Sequence, residues 1–220
     1  MKDDYKIISL PLRMRMGNVN CFLIASPKGH ILIDTGSANS RNRLSMELKS
    51  AGCKSGSLEL ILLTHGDFDH TGNAAYLRST FRTMVAMHPD DAGMVERGDM
   101  FANRKKPNFL ITAMIPLFTG FRKSDRFTPD ILLEDGYDLS QYGLKAKVTS
   151  LPGHSRGSIG ILTEAGEIFC GDLFENTKQP VLNSLIDDPE AAHASVERLR
   201  TLGIKWVYPG HGQPFAWEQL

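Results

Sequence analysis

Cysteine is scarce: the 220 residues contain three, Cys21, Cys53 and Cys170, an odd number at wide spacings. That argues against a disulfide framework and fits a reducing compartment. Net charge is also absent, with 25 Lys and Arg set against 25 Asp and Glu. A chain without excess positive charge has no global electrostatic grip on nucleic acid, so no such partner is expected. No uninterrupted apolar run approaches the roughly 20 residues that span a bilayer. The opening residues, Met1 to Lys6, carry two acids and no apolar core, so a cytoplasmic protein without a secretory leader is expected. What is present is 41% hydrophobic and 23% charged residues, enough to bury a core and to exclude disorder. One domain over residues 1–220 is the expectation.

Short apolar runs divided by turn residues predict strands over Tyr5–Leu12, Asn20–Ala25 and His30–Asp34, with a hairpin turn at Pro27-Lys28-Gly29. Ser37 to Ser40 offer N-cap candidates for a helix over Arg43–Ala51, and Gly52 can end it in a left-handed turn. A buried strand over Leu58–Thr64 and a helix over Gly72–Ser79 follow. The second half repeats this plan, with strands over Lys147–Ser150, Ser158–Thr163 and Glu167–Cys170. A helix over Pro189–Leu202 and a last strand over Trp206–Tyr208 complete it. Strands alternating with helices predict an α/β fold, and the repeated plan suggests a duplicated sandwich.

Between the halves, Gly93–Phe127 differs in composition. It holds Arg97, Arg104, Lys105, Lys106, Arg122, Lys123 and Arg126 against Glu96, Asp99 and Asp125. Within it Phe109–Phe121 is largely apolar. The bland reading is a buried helical excursion with a solvated basic flank. The functional readings are a lid or pocket wall, or the face of a homodimer.

The stretch Thr64-His65-Gly66-Asp67-Phe68-Asp69-His70-Thr71 lies between a strand and a helix, where open α/β sheets often place ligand sites. Two histidines and two aspartates this close would repel one another or lie desolvated unless something positive sat among them. A divalent cation is the economical answer. Imidazole with carboxylate suits zinc, iron or manganese better than calcium. Three further candidates follow strands: His154 in Pro152-Gly153-His154, Asp172 in Cys170-Gly171-Asp172, and His211 in Pro209-Gly210-His211-Gly212. Parallel strands gather such ends along one edge. His88, also after a strand, is a candidate for the rim of the site. His30 and His193 read as structural or surface residues, and Cys170 is not assigned as a ligand.

The ordered set resembles the metallo-β-lactamase superfamily, whose signature is His-x-His-x-Asp-His followed by His, Asp and His in separate loops. The likeness runs from Ile31-Leu32-Ile33-Asp34-Thr35-Gly36 to Pro209-Gly210-His211-Gly212. It implies a four-layer αβ/βα sandwich and two divalent metals, zinc first, with iron or manganese as alternatives. By resemblance, His65, Asp67 and His154 would hold the first metal. Asp69, His70 and His211 would hold the second. Asp172 would bridge them, with a shared hydroxide that Asp69 orients, and Asp34 would support the loop. The pattern departs at Asp67, where the family usually has histidine; a carboxylate there adds negative charge and favours harder metals. The implied activity is hydrolysis of an ester, thioester, lactone or related small molecule. An iron-dependent oxidoreductase of the sulfur dioxygenase or flavodiiron kind, and a non-catalytic ligand-binding member, are the alternatives.

Overall fold

The computed structural model describes residues 5–14, 17–104, 114 and 119–220. The first sheet comprises β1 (Lys6–Arg13), β2 (Asn18–Ser26), β3 (Gly29–Ile33), β4 (Leu58–Leu62), β5 (Met84–Met87) and β6 (Ile131–Leu132), in that spatial order. β1 to β3 form an antiparallel meander, and β3 to β6 run parallel. The second sheet is built from β7 (Ala146–Ser150), β8 (Ile159–Thr163), β9 (Glu167–Asn176), β10 (Val181–Leu182), β11 (Trp206–Gly212) and β12 (Phe215–Ala216). Its order is β12-β11-β9-β8-β7, with β10 paired to β9.

Strand alternation decides how the layers stack. In β2, Val19, Cys21 and Leu23 join one buried cluster while Phe22 and Ile24 join another. In β4, Ile61 parts from Leu60 and Leu62 in the same way. Strands covered on both faces read as continuous apolar runs because each successive side chain meets a different core. Among the described residues the helices with assigned bounds are α1 (Arg41–Ser50), α2 (Phe68–Thr71), α3 (Ala74–Phe81), α4 (Pro89–Arg97) and α5 (Pro189–Arg200). Leu44, Leu48, Leu77, Phe81 and Val95 from α1, α3 and α4 pack with Leu23 and Leu32 on the outer face of the first sheet. Ala192 and Leu199 of α5 pack with Ile168 and Val207 of the second. Between the sheets, Ile31, Ile33 and Leu62 meet Val148, Ile161 and Phe169. The order helix, sheet, sheet, helix is the expected four-layer sandwich. Each fully buried Leu or Ile in it contributes about 1.5–3 kcal/mol.

Three boundaries differ from the sequence reading. The helix expected over Gly72–Ser79 is α3, which starts at Ala74 and runs to Phe81, and a separate single turn before it, α2, carries Asp69 and His70. The strands expected to stop at Cys170 and Tyr208 continue to Asn176 and Gly212. Glycine and proline mark bulges there, not ends: the β9–β11 register shifts on either side of Pro209, and Gly171 takes φ +52°. β6, β10 and β12 are two residues each, too short to leave a sequence pattern. Residues 105–113 and 115–118 of the central excursion, where the lid and dimer readings fall, lie outside the described residues. Among the described residues no helix is long and apolar enough to cross a membrane.

All three cysteines are free and buried. Burial pushes the Cys53 thiol up to about 11 and that of Cys170 up to about 12. A thiol raised in the fold keeps its proton while the unfolded chain loses its own from about pH 8.5. Native stability should therefore fall as pH climbs through that window, with no such loss below it. We expect Ellman's reagent at pH 8 to find no fast-reacting thiol in the native protein and three after denaturation. One fast native thiol would contradict the burial argument.

Candidate metal centre

The end of β3 organises the site. Asp34 follows Ile33 with φ +58°, a left-handed backbone that aspartate tolerates better than branched residues. Its buried carboxylate accepts the Thr64 N–H and Thr64 hydroxyl, both at 2.8 Å, and lies 2.8 Å from His70 Nδ1. One side chain thus ties the end of β4 to α2. Thr35 donates N–H and hydroxyl to the His70 carbonyl at 2.7 and 2.8 Å. The Asn73 amide donates to the carbonyls of Thr35 and Ser37. The His-rich turn is therefore held from beneath by side chains that the signature itself does not contain.

Four imidazoles share one arrangement. His70 Nδ1 faces Asp34, His154 Nδ1 the Leu185 carbonyl at 2.7 Å, and His211 Nδ1 the Asn18 carbonyl at 2.8 Å. The Thr64 hydroxyl is already spent on Asp34, so it accepts from His65 Nδ1 at 3.0 Å. Each outer acceptor holds a ring proton on Nδ1 and turns Nε2 inward. Asp172, on the bulged stretch of β9, stands among them. Its Oδ1 is 3.3 Å from His70 Nε2, and its Oδ2 is 3.3 Å from His211 Nε2 and 3.9 Å from His154 Nε2. Gly210 makes room for this: a Cβ there would overlap Asp172 Oδ1 and crowd His70. The Asn20 side chain holds the same turn, donating to the carbonyls of Pro209 and Gly212 at 2.9 and 2.7 Å.

His65, His154 and Asp172 form one group with metal-binding geometry, and Asp69, His70 and His211 form a second. His65 Nε2, His70 Nε2 and Asp172 Oδ1 are buried with no hydrogen-bond partner among the described residues. Imidazole and carboxylate atoms left unspent in a buried site fit a divalent cation, and the fit is to nitrogen and carboxylate oxygen, as for zinc, iron or manganese. Burial opposes charge on His211, but Asp172 beside it pushes its pKa up to about 9. Burial also raises Asp69, whose side chain keeps 21% exposure at the open side of the group, 3.6 Å from His211 Nε2.

Asp67 occupies the N-cap of α2 yet makes no capping bond. Its Oδ2 lies 3.1 Å from His154 Nε2 and 3.8 Å from His65 Nε2, so it does join the pair with which it was grouped. Its other face meets Arg104, with Nη2 2.8 Å from Oδ1 and Nη1 3.2 Å from Oδ2. Burial would raise the Asp67 pKa, but Arg104 and His154 hold it well below the usual carboxylate range. His88 does not converge on the centre through any contact seen here; it caps α4, its Nδ1 accepting the Asp90 N–H at 3.2 Å. His30 contacts the Ser57 carbonyl, and His193 is exposed on α5.

Sequence reasoning missed two residues of the site. Arg104 read only as part of a basic stretch. Asp91, the third residue of α4, is fully buried and accepts four donors: Gly66 N–H (2.8 Å), Ser155 hydroxyl (2.6 Å), Gly157 N–H (2.9 Å) and the Asn103 amide (2.8 Å). It joins the turns bearing His65 and His154, and Ser155 serves this clamp. A His-Pro-Asp-Asp run at a strand end hints at a helix start but not at such a hub. Asp91→Ala strands those donors, a loss of about 3 kcal/mol or more. We expect a melting temperature lower by at least about 6 °C; a shift under 2 °C would mean the clamp is redundant.

A sandwich whose sheet edge gathers four inward imidazoles and several carboxylates has the layers and the donor set of a metallo-β-lactamase type protein. The family model described as "Metallo-beta-lactamase superfamily" matches residues 14–211, and the chain belongs to that superfamily. It is 26% identical over 198 residues to "Probable metallo-hydrolase MJ0888" of Methanocaldococcus jannaschii, covering 88% of this chain and 87% of that one. It is 24% identical over 208 residues to an atrochrysone carboxyl ACP thioesterase of Aspergillus fumigatus, covering 92% of this chain and 53% of that protein. The chain also spans only 55% of a beta-lactamase-like protein 2 homolog of Caenorhabditis elegans. The crystal structure of TTHA1623 in a di-iron-bound form is 28% identical, with TM-score 0.72 and 94% of each chain covered.

Proposed function

We propose that this protein is a metal-dependent hydrolase of small ester, thioester or lactone substrates, working as a single domain over residues 1–220. The observation that carries the reading is the common setting of His65, His70, His154 and His211, each anchored through Nδ1 with Nε2 turned into the site. His65, His154 and Asp67 would hold one divalent ion, Asp69, His70 and His211 a second, and Asp172 both. When bound, such ions supply a Lewis acid for a carbonyl oxygen and bring the pKa of water from about 15.7 towards neutrality. Asp69, on the open side, would accept a hydrogen bond from the attacking water and orient it. Asp34, Thr64, Leu185 and Asn18 keep the imidazoles in one tautomer, so no reorganisation is required as charge develops.

Beside His154 opens a cavity of about 730 Å³ lined in part by Arg104, Gly153, Ser155, Arg156 and Asp187. The thioesterase name of the Aspergillus relative supports a thioester among the first substrates to try. Zinc remains the first expectation, and the di-iron form of TTHA1623 makes iron the second metal to load. Protein reconstituted separately with zinc, iron and manganese should turn over at least one member of an ester, thioester and lactone panel, and lose that activity to a chelator. Failure across the panel with two metals bound would defeat the hydrolase reading. Asp67 favours a second reading, iron-dependent oxidation, which substrate-dependent oxygen consumption by the iron form would reveal.

A further inference from the structure

We propose that Arg104 is a positioning residue for the metal centre, and that Asp67 and Arg104 together replace one neutral histidine. The inference rests on the metal-centre reading above. Asp67 meets Arg104 with both oxygens, Oδ1 at 2.8 Å from Nη2 and Oδ2 at 3.2 Å from Nη1. Oδ2 also faces inward, 3.1 Å from His154 Nε2 and 3.8 Å from His65 Nε2. The carboxylate therefore has a back committed to guanidinium and a front turned to the imidazole pair. The ion pair is buried, with side chains 7% and 9% exposed, so solvent screens it little.

Charge explains the arrangement. Asp34, Asp69 and Asp172 already crowd the four imidazoles. A fourth carboxylate in place of a neutral imidazole adds one full negative charge in a water-poor site. Arg104 cancels it. A guanidinium keeps its charge even when buried and here lies against both carboxylate oxygens. Arg104 is itself seated by its neighbour: the Asn103 amide donates to Asp91 at 2.8 Å and to the Asp90 carbonyl at 2.7 Å, pinning this stretch of backbone against α4.

The pair predicts an outcome opposite to the family pattern. Asp67→His restores the usual residue but leaves Arg104 buried without its counter-ion beside a cation site, so it should weaken binding of one metal at least tenfold. Asp67→His with Arg104→Ala removes both members and should recover two metals per chain and wild-type affinity within about threefold. Arg104→Ala alone leaves the carboxylate unneutralised and should tighten one metal, whereas a merely structural arginine would loosen it on removal. Arg104→Lys, which keeps the charge, should stay near wild type. The readouts are zinc affinity by chelator competition, metal content, and the visible spectrum of the cobalt-loaded proteins, with thermal melts of the metal-free variants to establish folding. None requires a substrate, so a failed hydrolase panel leaves this test standing. Asp67→His binding two metals as tightly as wild type with Arg104 in place would overturn the proposal, as would looser metal in Arg104→Ala. If Asp67→His does not fold, Arg104→Ala alone decides.

Discussion

Asp34→Asn is expected to fold and yet to lose metal affinity by about 10–100-fold. Asparagine tolerates the left-handed backbone of this position, φ +58°. Its amide oxygen can still accept the Thr64 N–H, now 2.8 Å from Asp34 Oδ1. The amide nitrogen then stands where Oδ2 was, facing His70 Nδ1 and the Thr64 hydroxyl, each 2.8 Å from that oxygen. It donates where the carboxylate accepted. His70 must shift its proton to Nε2, which faces Asp172 Oδ1 at 3.3 Å, and an N–H pointing into the site cannot serve as a ligand. Nitrogen NMR of the His70 ring reports the tautomer, and equilibrium dialysis the metal. An unchanged Nδ1–H tautomer with wild-type metal content would show that Asp34 is only a scaffold for Thr64.

Asp172→Asn should have a larger effect on activity, beyond the 100-fold that loss of a supporting residue brings. Asp172 is the carboxylate that stands near both groups, 3.3 Å from His70 and His211 and 3.9 Å from His154. The amide has nearly the same shape, so packing against Gly210 survives while the charge does not. Burial disfavours the Asp172 carboxylate, but His211 and His70 outweigh that and hold it well below the ordinary range, so it is ionised throughout neutral pH. Its replacement by a neutral group removes the negative charge that stands between the two groups of donors. Metal content should drop below two per chain, with kcat falling by more than KM changes. Two retained metals with activity within tenfold of wild type would remove Asp172 from the centre.

Much of this was legible in the residues because metal chemistry draws on few side chains. His65, Asp67, Asp69 and His70 sit in one turn after an apolar strand, and His154, Asp172 and His211 each lie beside glycine near a strand. Apolar runs that bury both faces marked β2, β3 and β4, and hence a layered sandwich. The strand ends at Cys170 and Tyr208 were misplaced because glycine and proline signal a break in regular pairing without saying whether pairing resumes. Asp172 and His211 accordingly sit on bulges within β9 and β11, where the distorted backbone re-aims side chains toward the site.

By itself the sequence determined the kinds of donor, their order along the chain and the local elements that carry them, since propensity, periodicity and spacing are short-range. Only the tertiary structure decided which acceptor fixes each imidazole and which cation answers Asp67. Arg104 is 37 residues from Asp67, and Asp91 binds Ser155 and Gly157 from 64 and 66 residues away. Such partners are set by how the turns fold over one another. An ion pair or a buried hydrogen bond depends on distance and exclusion of water, and neither quantity is written in a linear string of residues.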